Sequence, residues 1–235
     1  MQTGLLLNSL ICLLIFGSSL WLAKTICNQN KKTLIEYLLS LFWITVGFTW
    51  FFVGVGLIIY KRGYVEQDML LNQFIIQALI FIQLSLGVSY AIYRFWQRKE
   101  IALGALTICL LLSGVGYYFL IQPGGFSFGS ETYFSVEYKI NDISWNIFQA
   151  IFIFGLLFLL YDLIKTFIKK LRGDEYQIKY LLITSSIIIY SLVGYFDNLG
   201  FNANWTMVFF RSFIILSILI AYTGHTIEEK QEDKK

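Results

Sequence analysis

Seven apolar stretches recur along the 235-residue chain, each near the length of roughly 20 residues that a helix needs to cross a hydrocarbon layer. Short breaks of charged residues and glycine divide them. The pattern predicts helical spans at about 4–27, 35–60, 69–96, 101–121, 143–168, 180–197 and 205–224. The fold class that follows is an all-α membrane bundle of seven transmembrane helices filling residues 1–225, with a charged tail at 226–235. Only the stretch between the fourth and fifth spans, 122–142, is long enough to form structure of its own. It holds the lone proline, Pro123, and Gly124-Gly125. After a turn expected at Gly129-Ser130, residues Phe134, Val136, Tyr138 and Ile140 alternate with Ser135, Glu137 and Lys139. That is the period of a strand with one apolar face, so a β-hairpin lying on the mouth of the bundle is expected.

Composition supports the membrane class and charge orients it. Hydrophobic residues make up 57% of the chain and charged residues only 14%, less than a soluble domain of this size normally carries. Fourteen of the 18 basic residues fall on one side of the predicted bundle: Lys24, Lys31, Lys32, Arg94, Arg98, Lys99, Lys165, Lys169, Lys170, Arg172, Lys179, Lys230, Lys234 and Lys235. Lys61, Arg62 and Lys139 fall on the other, and Arg211 lies within the last span. The positive-inside bias puts the N-terminus outside, the hairpin outside and the C-terminus in the cytoplasm, which for a bacterial chain means the plasma (inner) membrane. Cys12, Cys27 and Cys109 lie in or beside apolar segments and suggest packed thiols rather than a disulfide framework. The first span lacks the basic flank and cleavage site of a signal peptide and is expected to be retained.

Several chemistries fail on inventory. The single histidine, His225, rules out a histidine-based zinc site or a bis-histidine haem within one chain. The last span has no lysine for a retinal Schiff base. No nucleophile elbow, metalloprotease helix motif or phosphate loop is present, so neither enzyme activity nor a cofactor is expected, and nothing suggests nucleic acid as a partner. Gly54-Val55-Gly56, mid-span, is the pattern of small residues that let helices approach closely. No predicted span contains proline, which counts against the broken helices of many transporters.

Polar groups inside a span are costly and mark candidate sites. Arg211 lies six residues beyond Trp205, roughly 9 Å inward at 1.5 Å per residue. Gln73 and Gln149 reach a similar depth, Tyr117 is somewhat shallower, and Gln77, one helical turn from Gln73, is expected on the same face. These residues compose a polar layer near the outer side. In one reading they bind a ligand beneath the hairpin, with Arg211 presenting a donor fork to a carboxylate or phosphate. In the other they hold the bundle together, with Arg211 paired to Asp197 or Glu137. Deeper in, polar groups are expected to thin out. Asp162 and Lys165, three residues apart, are expected to pair on the surface of the fifth helix. Asn204-Trp205-Thr206 matches a glycosylation sequon beside the membrane.

The run Leu41-Phe42-Trp43-Ile44-Thr45-Val46-Gly47, the outer strand 133–140 and the segment KKLRGDEYQIKYLLIT at 169–184, together with Ile220-Ala221-Tyr222, resemble the seven-helix sensor region at the N-terminus of some bacterial histidine kinases. The resemblance covers about residues 4–224. It implies a membrane input module that senses an external or membrane-dissolved cue and passes a helix displacement to a cytoplasmic output. About ten residues follow the last span, so the output would sit on a signalling partner chain. The leading functional expectation is a multi-pass sensor or receptor-like protein with a small-molecule or lipid ligand, in the lipid bilayer, with a cytoplasmic partner or as a homo-oligomer. A small permease or channel, and a structural subunit of a larger membrane complex, are the alternatives.

Overall fold

A computed structural model describes residues 2–28, 33–171, 177–198 and 205–232. Seven helices in it are long and apolar enough to cross a membrane. We label them α1 (Gln2–Cys27), α2 (Leu34–Lys61), α3 (Val65–Trp96), α4 (Lys99–Ile121), α5 (Asp142–Leu171), α6 (Gln177–Asn198) and α7 (Trp205–Glu232). Each lies within a few residues of its predicted span, except that α3 begins four residues earlier and α7 continues past residue 225 into the tail. Their outward faces carry large apolar side chains such as Leu111, Leu157 and Ile164. A soluble protein does not expose apolar side chains around its whole girth; a bundle solvated by lipid does.

Helix α3 is the centre of the bundle. Inside its most apolar window 61% of residues are buried, the largest share of any helix, and it packs on α2, α4 and α5. Helices α1 and α2 approach closely because small residues face each other. A side chain on Gly54 would meet Cys12 and the Ser9 carbonyl at 3.1 and 3.3 Å, and Ser9 Oγ donates to the Gly54 carbonyl at 2.9 Å. This is the packing expected of the small-residue pattern. Helix α7 lies against α6 and α1, and buried His225 sits near its far end.

The hairpin comprises β1 (Phe126–Glu131) and β2 (Val136–Ile140), paired antiparallel. The turn is not at Gly129-Ser130 as expected. Those residues lie inside β1, where the register shifts between Phe128 and Ser130, so Gly129 is the extra residue of a bulge. The chain reverses instead over 132–135, where the Thr132 N–H donates to the Ser135 carbonyl at 2.8 Å and the Ser135 N–H to Thr132 Oγ1 at 3.1 Å. A threonine side chain that bonds its own backbone makes a turn without glycine.

A second departure lies in α3. Residues Asn72–Ile76 form a π turn, in which the Gln77 N–H reaches back five residues to the Asn72 carbonyl. Asn72 Nδ2 donates to both the carbonyl and the carboxylate of Asp68, at 3.1 and 3.0 Å. The inserted residue rotates everything after it relative to what precedes.

Candidate functional site: a cavity beneath the hairpin

At the hairpin end, α2, α3, α5, α6, α7 and β2 enclose a cavity of about 540 Å³. Arg211, only 4% exposed, projects from α7 into its wall. Its guanidinium donates to Asn8 Oδ1 and, at 3.0 Å, to Cys12 Sγ on α1. It stands 3.8 Å from the Asp197 carboxylate and 4.8 Å over the Trp50 ring. Of the two partners expected for it, Asp197 is the one it meets. A charge this deep is tolerable only when paired and hydrogen-bonded, and here α1, α2 and α6 each supply a share. Arg211 therefore ties three helices together, with its donor fork turned mainly to α1.

The other candidates separate. Gln77 lines the cavity with Arg211. Gln73 does not: its Nε2 donates to the Leu120 carbonyl of α4 at 3.0 Å. The π turn between the two glutamines breaks the four-residue registry that would have put them on one face. Tyr117 donates to the Phe74 carbonyl at 2.9 Å, reinforcing the α3–α4 contact. Gln149 donates to the Tyr195 hydroxyl at 3.3 Å, and it is Tyr195 that reaches the cavity wall.

Two features of the site, and the bonds that latch the hairpin over it, carried no sequence signal. Tyr190 of α6 donates to Gln83 of α3 at 3.1 Å in the middle of the cavity. A wall of near-parallel rings runs along α5 and α6, with Trp145 on Phe148 at 15° and Phe152 on Tyr195 at 9°. The hairpin forms the roof and is latched to the helices through Tyr60 to Glu131 at 2.9 Å, Thr3 to Tyr133 at 2.7 Å and Asn8 to the Phe134 carbonyl. Tyr138 donates to buried Asp68. Burial first, and then that bond to a carboxylate, push the Tyr138 phenol above its ordinary range.

The expectation that polar groups thin out with depth is overturned. Beyond Gln83 and Tyr190, buried Asp162 of α5 accepts from Arg94 Nε of α3 at 3.1 Å and from Thr184 Oγ1 of α6 at 2.9 Å. The Arg94 guanidinium lies 4.0 Å over the Tyr180 ring. Asp162 thus pairs with Arg94, not with Lys165. Its position faces the bundle interior, where the arginine of a neighbouring helix reaches it. The sequon residue Asn204 lies outside the described residues.

Fold and site together define a multi-pass membrane protein of seven apolar helices with an internal, partly polar cavity at one end. No family model, curated protein or solved structure matches the chain.

Proposed function

We propose that the chain is a non-enzymatic sensor of the bacterial plasma membrane, with its N-terminus and hairpin outside, which takes an external or membrane-dissolved ligand into the cavity and signals to a cytoplasmic partner. The observation that carries this reading is the cavity, whose wall combines aromatic and aliphatic side chains with convergent polar groups, as ligand sites commonly do. The Gln83–Tyr190 bond sits in that wall, and the Arg94–Asp162–Thr184 cluster lies further along the same helices. A ligand that separates α3 from α6 would therefore act on the ion pair at the basic end. Purified protein in lipid nanodiscs, screened against lipids and water-soluble metabolites, should give a compound that raises the thermal midpoint. Gly194→Leu should abolish the rise, because a side chain at Gly194 meets open space on the cavity wall. A screen with no such compound would sink the proposal.

A small permease is the second reading, favoured by the buried polar groups that continue from the cavity to Asp162 and Arg94. Flux of the same compound into proteoliposomes, absent in Gly194→Leu, would select it over sensing.

A further inference from the structure

The shape of the cavity narrows what it can hold. On α5 its wall runs from Trp145 to Leu159, 14 residues and about 21 Å at 1.5 Å per residue. On α3 it runs from Asn72 to Val88, a comparable length. The cavity is an elongated slot, directed from the hairpin towards the middle of the bundle.

Its chemistry changes along that axis. Near the hairpin the lining includes Gln77, Glu137, Lys139, Asp197 and Arg211. At the deep end Phe42, Leu84, Gly87, Val88, Leu156 and Leu159 surround the Gln83–Tyr190 bond, and α3 and α5 close together there because Gly155 lets Val88 in. The charges at the mouth balance, two acidic and two basic. Arg211 is held by Asn8, Cys12 and Asp197, and Glu137 accepts from Ser130 at 2.7 Å. Gln77 and Lys139 are left uncommitted: among the described residues none pairs with the Lys139 ammonium and none hydrogen-bonds the Gln77 carboxamide, although Gln77 is only 9% exposed.

We infer that the slot binds an amphiphile, with a hydroxyl- or ester-bearing head at Gln77 and an acyl chain running down between α3, α5 and α6. This rests on the cavity being a ligand site. A hydrocarbon chain gains nothing from leaving lipid for an apolar protein interior, so the head contacts and the shape of the slot must select it.

The test uses nanodiscs containing the full chain and monoacylglycerol brominated in mid-chain, whose bromines quench tryptophan on contact. Trp50 and Trp145 line the slot. Saturable quenching is expected, with affinity at least tenfold lower in Gly194→Leu and in Ser191→Phe, two variants that fill the slot from α6. Gln77→Leu should weaken it severalfold. The midpoint of each variant without ligand shows that it is folded, and either slot-filling variant suffices. Non-saturable quenching, or quenching unaltered by a folded slot-filling variant, overturns the inference. A chainless, water-soluble compound that stabilises the wild type but not the slot-filling variants would overturn the acyl chain and leave the ligand cavity standing. Stabilisation that ignores those variants would remove both.

Discussion

Arg94 and Asp162, 68 residues apart in sequence, meet at 3.1 Å between α3 and α5, with side chains only 12% and 3% exposed. Thr184 completes the cluster from α6. Removing one member leaves its partner charged in a medium that solvates it poorly, which typically costs about 3–5 kcal/mol, whereas replacing both by apolar residues is often neutral. Asp162→Ala should therefore destabilise the bundle by about that amount. The double variant Arg94→Met with Asp162→Leu should recover most of it. Equilibrium unfolding in mixed micelles measures both, and additive losses in the double variant would refute the pairing.

Arg211 is held by three helices, so it is expected to govern assembly as much as any ligand. Arg211→Lys keeps the charge but cannot reach Asn8, Cys12 and Asp197 together in the same fork. It should lower stability by about 1–3 kcal/mol, and Arg211→Leu by more, because Asp197 then loses its cation. Thermal midpoints in nanodiscs check the order Leu below Lys below wild type.

The close seam between α1 and α2 depends on Gly54. A Cβ there would stand 3.1 Å from the Cys12 Cβ and 3.3 Å from the Ser9 carbonyl. Gly54→Val should force the helices apart and lower the midpoint by several degrees. Gly104→Val on α4, where a side chain meets open space, should not. Comparable losses in the two variants would show that helix propensity, not packing, is responsible.

The hairpin latch has a pH dependence of definite sign. With its pKa raised on folding, Tyr138 contributes stability in full below the ordinary tyrosine value of about 10, and that contribution fades as the pH rises beyond it. Tyr138→Phe should lower hairpin protection in hydrogen exchange at neutral pH and flatten the alkaline loss seen in the wild type. An unchanged alkaline limb would place the responsible group elsewhere.

Orientation is tested with single cysteines in a background lacking Cys12, Cys27 and Cys109. Ser130→Cys should react with a membrane-impermeant maleimide on intact cells, and Lys170→Cys only after permeabilisation. The reverse pattern would invert the bundle.

The membrane class, the seven helices and the existence of the hairpin were legible in the chain because each depends on local periodicity and on total apolarity. Lipid demands both of every span, whichever neighbours it has. Arg211 too announced itself, since a charge in an apolar run is conspicuous. The partners were not legible. Lys165 is the cation nearest Asp162 in sequence, yet Arg94 holds it, because burial is decided by which helix face turns inward. Gln73 and Gln77 read as one face, yet a π turn seeded around Asn72 and Asp68 parts them. Gly129 reads as a turn, yet Thr132 and Ser135 turn the chain and leave the glycine as a bulge.

The amino-acid sequence by itself determined that this protein lies in a membrane and how many times its helices are long enough to cross it. The tertiary structure alone decided that Arg211 faces Asn8 and Asp197, that Gln83 meets Tyr190, and that an elongated cavity remains between α3, α5 and α6. Spanning is a property of one segment and its solvent. A cavity is what several segments fail to fill, and its shape depends on helix rotation and on single-residue shifts of register that no local pattern encodes.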